Sequence, residues 1–240
     1  MRLAGRLLTV AAALLLAVPS SGAADKRPWT RAVYIVNQST RVTDAELEDA
    51  LPAFQASVSD DLRHYWNVDA RLVLADAPPA RAWTLTLSDE PDCVFCAGYH
   101  GVRMGVPFGM VFPDDELPWT VVLTHELQEL LVDPMVNRAA LDATMFRLTE
   151  VSDPVESPRY AYARASASGA PVLVSDFVFP RYYESRYRRG PFDFAGHVRH
   201  PLEILTDGYL AEWSGSGWSV RFADGTTARR RLAVFPTAHF

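Results

Sequence analysis

Cysteine is scarce in this chain: only Cys93 and Cys96 occur among 240 residues. A zinc knuckle of four cysteines needs a second pair and is excluded. Basic residues are in the minority, 23 Lys and Arg against 29 Asp and Glu, for a formal charge of −6. The runs Arg188-Arg189 and Arg229-Arg230-Arg231 are too short to make the footprint a phosphate backbone requires, so nucleic acid is not an expected partner. A G-x-S-x-G elbow and a glycine-rich phosphate loop are both missing, which disfavours a serine hydrolase and a nucleotide enzyme. No apolar run reaches the roughly 20 residues of a spanning helix. The 49% of apolar residues is enough for an ordinary core, so the composition excludes a wholly disordered chain.

The N-terminus reads as an export signal. Arg2 and Arg6 make a positive region, Leu7 to Val18 an apolar one, and Pro19-Ser20-Ser21-Gly22-Ala23-Ala24 a stretch of small residues for cleavage. Removing 1–24 leaves 21 basic against 29 acidic residues, a net −8. The expected destination is secreted or periplasmic, with no stable membrane insertion afterwards. For Cys93-Val94-Phe95-Cys96 a redox pair at a helix start is disfavoured, because Gly98 and Gly101 suggest a loop. In an oxidising compartment a local disulfide is favoured.

The mature chain reads as α+β: strands and helices over 25–160, then a β-rich part over 161–240 packed on the same domain. Ala32 to Val36 has the composition of a buried strand. Thr43 and Glu46 form a capping box for a helix whose stripe is Leu47, Leu51, Phe54, Val58, Leu62 and Tyr65, with a kink expected at Pro52. Residues 69–75 and 82–88 alternate as strands do, and 106–112 is expected at a sheet edge because Pro107 lacks a donor. Beyond 160, strands are expected near 171–179 and 218–222, with turns at Asp207-Gly208, Gly215-Ser216-Gly217 and Asp224-Gly225.

The helix expected over 118–132 carries Thr124-His125-Glu126-Leu127-Gln128-Glu129, stopped by Asp133-Pro134. His125 and Glu129 are four apart and share a face, while Glu126 points about 100° away. This is the layout of a zinc-protease helix with Glu in place of the second His: positions 1 and 5 bind metal, and position 2 is the general base. Carboxylate oxygen ligates zinc at nearly the distance of imidazole nitrogen, although it hardens the site and admits other divalent metals. Downstream, Glu150, Asp153 and Glu156 offer carboxylates. Glu150 is the expected third ligand, as thermolysin-type enzymes take theirs from a second segment. Asp153 is expected behind the imidazole, and His100 is an alternative ligand or substrate contact.

Gly98-Tyr99-His100, Pro107, Val111-Phe112, Thr124 through Pro134, Glu150-Val-Ser-Asp153, Leu173-Val-Ser-Asp-Phe177 and Gly190-Pro-Phe-Asp193 recur in that order in a little-characterised family of bacterial and phage proteins. Its helix reads S/T-H-E-L-x-E-x-x-x-D-P. The chain resembles that family over roughly residues 32–220, and is more distantly similar to the exordium-type, phosphate-induced secreted proteins of plants. The resemblance implies a zincin-like fold: a helix-backed sheet, an edge strand for substrate and a motif helix beneath. The expected function is an exported metal-dependent hydrolase, a zinc peptidase acting on peptide or protein. Its alternative is a non-catalytic binding or surface protein with calcium on Glu129, Glu150 and Asp153. Asp44, Glu46, Glu48 and Asp49 read as a solvated helix face; the spacing of His197 and His200 could bind metal, but they read better as surface histidines. Tyr182, Tyr183 and Tyr187 with Arg181, Arg186, Arg188 and Arg189 could line a groove for an anionic or glycan ligand, or cover a β surface.

Overall fold

A computed structural model of the chain describes residues 31–93, 96–215, 217–230 and 237–238. The expected signal segment, 1–24, lies outside them. Five strands make the first sheet: β1 (Arg31–Gln38), β2 (Ala70–Leu74), β3 (Trp83–Ser88), β4 (Gly98–Arg103) and β5 (Val106–Val111). Their order is β2-β1-β3-β5-β4, with β4 alone running antiparallel.

Between β1 and β2 the chain crosses over through α1 (Asp44–Ala56), a π-helical turn over Ser57–Leu62, and α2 (Arg63–Trp66). The capping box forms as the spacing requires: Glu46 N–H donates to Thr43 Oγ1 and Thr43 N–H to Glu46 Oε2. Pro52 lies inside α1, but regular α-geometry gives way only at Ser57, where the π turn keeps Val58 and Leu62 buried. The motif helix α3 (Trp119–Val132) follows β5, with Pro118 at its N-cap. Nearly all of it is buried, so it is an interior helix rather than a surface one. Phe54 of α1 meets Trp119 of α3 edge-on at 5.8 Å, and both helices share one core with Val33, Ile35, Leu85 and Leu87. Burying a side chain such as Phe54 contributes about 1.5–3 kcal/mol.

After α3 come the hairpin β6 (Arg138–Asp142) and β7 (Met145–Leu148), the hairpin β8 (Tyr162–Ala165) and β9 (Pro171–Val174), and then β10 (Tyr209–Trp213), β11 (Trp218–Phe222), β12 (Thr227–Arg230) and β13 (Thr237–Ala238). The second sheet has the order β12-β11-β10-β7-β6-β13. It therefore joins strands from before and after residue 160, and that boundary does not divide the sheets. The content is mixed α and β, with the C-terminal half rich in β.

Three expectations are corrected. The edge of the first sheet is β4, not 106–112, because β5 is paired on both sides. Proline is tolerated there since the parallel ladder with β3 starts one residue later, at Phe108. Gly98 and Gly101 lie in β4 rather than in a loop. The tyrosine groove does not form as written, because Tyr182 and Tyr183 are 0% and 1% exposed and belong to the main core.

Gly208, expected only as a turn residue, is a packing glycine. A Cβ there would lie 2.6 Å from the Pro154 carbonyl oxygen and 2.7 Å from that of Asp153. Gly208→Ala is expected to lower stability by about 1–3 kcal/mol through overpacking of backbone. A urea midpoint equal to the parent's would show that the 153–154 turn yields freely.

Candidate metal centre

The centre is built from α3, β4 and the segment that follows β7. On α3, His125 and Glu129 project together as their spacing demands, and the 3₁₀ turn Asp153–Val155 brings Asp153 opposite them. His125 Nε2 lies 3.4 Å from Glu129 Oε1 and 3.3 Å from Asp153 Oδ1. Ligands about 2.0–2.1 Å from a tetrahedral ion stand about 3.3–3.4 Å apart, and the His125 nitrogen stands at that spacing from each of the two carboxylate oxygens. All three residues are buried.

His100 on β4 forms a second group with Glu129 and Glu150. Its ring uses opposite edges: Nδ1 is 3.7 Å from Glu126 Oε2 and 3.6 Å from Glu129 Oε2, while Nε2 is 3.5 Å from Glu150 Oε2. His100 thus meets carboxylates on both ring edges, whereas His125 presents a single nitrogen to both of its partners. The structure thus brings His125, Glu129 and Asp153 together and gives Glu150 to His100. The expected set of His125, Glu129 and Glu150 is not one of the clusters found among the described residues.

The hydrogen bonds explain how the segment is held. Ser152 and Asp153 N–H donate to Glu129 Oε1 at 3.1 and 3.2 Å. On the adjoining face of α3, Gln128 accepts from Ser152 Oγ at 2.8 Å and donates to the Ser175 carbonyl at 3.0 Å. Thr124 Oγ1 accepts from Ser175 N–H at 2.8 Å. Each buried polar group on this face thus has a named partner.

Glycine lets the sheet approach the helix. A Cβ on Gly98 would meet Glu126 Cγ and Oε1, and the Met110 carbonyl, all at 2.9 Å, and one on Gly109 would meet Leu85 Cδ1 at 2.5 Å. The edge strand passes against Glu126 only because Gly98 has no side chain. Beside it a cavity of about 270 Å³ is lined by Gly98, Val122, His125, Glu126, Glu156 and Tyr209. Cys93 and Cys96 stand at disulfide-bonding distance where the chain enters β4.

Charge at the centre is strongly coupled. Burial alone would lower the His125 pKa, but Glu129, Asp153 and Glu126 outweigh it and hold it well above the ordinary value. His100 is raised too, since Glu126, Glu129 and Asp133 overcome its burial. Burial would raise Glu129, yet His125, His100 and the Ser152 amide bring it down to about 2. Glu156 goes the other way: burial raises it to about 7, with His125 opposing and Asp153, Glu129 and Glu126 adding to the rise.

Sequence reasoning had counted Glu156 only as one of three downstream carboxylates, and its position in the cavity wall comes from the turn at 153–155. Gln128 and Thr124 were missed, although their i, i+4 spacing on a buried helix was a readable signal. No family model, no curated protein and no solved structure is matched by this chain.

A carboxyl group raised from 4.5 to about 7 binds a proton in the folded state that the unfolded chain has released. Its contribution to stability is complete below pH 4.5 and is lost as pH rises through 7. In metal-free protein, Glu156→Gln is expected to remove up to about 3 kcal/mol of the decline between pH 5 and 8. Chemical denaturation across that range measures it; parallel curves for parent and variant would refute the assignment.

Proposed function

We propose that this is a metal-dependent hydrolase acting on peptide or protein, with Zn²⁺ bound by His125, Glu129 and Asp153. The observation that carries the reading is the convergence of one imidazole nitrogen and two carboxylate oxygens at 3.3 and 3.4 Å, buried beside an open cavity. A zinc ion in such a place supplies a Lewis acid and an acidified water. Glu126, one residue on from His125 and lining the same cavity, takes the proton from the attacking water. Glu156, protonated near neutral pH, stands in the cavity wall as a donor for the leaving amine. His100 holds Glu126 on one ring edge and Glu150 on the other, which fixes the base.

The outer edge of β4 is unpaired in its sheet and Gly98 borders the cavity, so an extended peptide adds as a further strand there. The role foreseen for 106–112 passes to 98–103. Calcium fits less well, because each cluster found at the centre contains a histidine and calcium takes oxygen ligands. Among the described residues no helix is long and apolar enough to cross a membrane. The signal-like segment and the cysteine pair at disulfide-bonding distance are what support reading the protein as exported.

Zinc content of the purified chain tests the reading. His125→Ala and Asp153→Ala are each expected to lose one zinc equivalent, while Glu150→Gln keeps it. Glu126→Gln is expected to keep the metal and to lower casein hydrolysis by about 10²–10⁴-fold. A His125→Ala protein that binds as much zinc as the parent would overturn the centre, and undiminished hydrolysis in Glu126→Gln would overturn the base.

A further inference from the structure

Away from the centre, Asp176, Asp193 and His197 form a separate cluster. Two short segments run antiparallel to make it: Phe179 N–H donates to the Phe192 carbonyl at 2.7 Å, Phe194 N–H to that of Phe177 at 3.0 Å, and Val178 bridges Asp193. This pairing sets two buried carboxylates side by side, each 1% exposed. Asp176 Oδ1 accepts from the Phe177 and Ala195 amides at 2.8 and 3.0 Å. Asp193 closes the loop after it, accepting from His197 N–H at 2.7 Å and Val198 N–H at 3.0 Å.

One atom is left over. Asp176 Oδ2 is buried, receives no N–H and lies against the Asp193 carboxyl, and it faces His197 Nδ1 at 3.7 Å. The same nitrogen lies 3.8 Å from Asp193 Oδ2, and the His197 side chain is 40% exposed, so the cluster opens to solvent on that side. An unpaired carboxylate oxygen in the interior costs several kcal/mol. Both Asp193 oxygens are met by amides, so it is Asp176 Oδ2, against that second carboxyl, that must take up either a proton or a cation.

We propose that Asp176, Asp193 and His197 hold a second divalent cation of the transition-metal class. An imidazole beside two carboxylates suits zinc or manganese and not calcium. The two His197 separations exceed the zinc spacing of about 3.3–3.4 Å by a few tenths of an ångström. The site has a structural role. Ser175, next in sequence to Asp176, is bonded to Thr124 and Gln128 of α3, so an ion here clamps the 192–198 loop to the segment lying on the motif helix.

Zinc binding by the full chain tests this, with bound metal counted after dialysis and thermal midpoints recorded with and without zinc. His197→Ala is expected to lose one zinc equivalent both in the parent and in a His125→Ala background, so this site stands or falls separately from the first. In the His125→Ala background zinc is expected to raise the midpoint, and His197→Ala to abolish the rise. The near-isosteric Asp193→Asn is expected to lose the same equivalent while staying folded. His200→Ala, which changes another exposed histidine of the region, is expected to bind as the parent does. Equal zinc in His197→Ala and its parent would overturn the proposal. So would an equal loss in His200→Ala, which would mean surface-histidine binding, or zinc retained in full by Asp193→Asn.

Discussion

The architecture of the centre turns on the Glu129 carboxylate. It is buried, and a buried carboxylate is tolerable only if its charge is met on several sides. One oxygen faces His125 and receives the Ser152 and Asp153 amides, while the other faces His100 on the neighbouring strand. Three pieces of chain that are distant in sequence, β4, α3 and the turn at 153, are thereby referred to one group. Glu129 holds the polypeptide in place whether or not an ion is bound. That is why a glutamate at the fifth motif position is more than a substitute for histidine: its second oxygen recruits the edge strand, which a ring nitrogen committed to metal would not do.

Around that hub, α3 serves several partners at once. His125 and Glu129 face the turn, Glu126 faces β4 and the cavity, and Thr124 and Gln128 face Ser152 and Ser175. A helix that is buried nearly all round needs a polar partner for each polar side chain, and the loops at 150–153 and 175–176 are those partners. Their conformations follow from the helix. Close approach from the sheet side is a separate demand, met by Gly98 and Gly109, where a methyl group would collide with Glu126 or Leu85.

Local rules were enough to read α3, the capping box at Thr43 and Glu46, and β1 to β3, because each is written in a short window of periodicity or capping chemistry. Features decided by long-range pairing were not legible. Gly98 and Gly101 carry loop propensity, yet they form a strand because β5 offers a ladder and the helix leaves no room for a side chain. Pro107 suggested an edge, but edge position depends on which strand comes last in the sheet, and β4 lies outside it. The hairpin of β6 and β7 escaped notice because its partner β10 arrives more than sixty residues later. At the site, the motif helix was readable, and so was the presence of carboxylates near 150. Which of them would reach His125 depended on a single 3₁₀ turn beginning at Asp153, and spacing along the chain says nothing about that.

The two imidazoles of the centre show how position decides chemistry in one acidic pocket. Glu126, Glu129, Glu150 and Asp153 crowd around His100 and His125, so even with both rings protonated the six groups carry a formal excess of two negative charges. His125 directs one nitrogen at two oxygens. His100 meets its carboxylates on both ring edges, so it ties Glu126 and Glu129 on one side to Glu150 on the other. The pocket therefore presents its carboxylates to His125 through one ring nitrogen and to His100 through both, and His100 sits on β4, whose Gly98 borders the cavity.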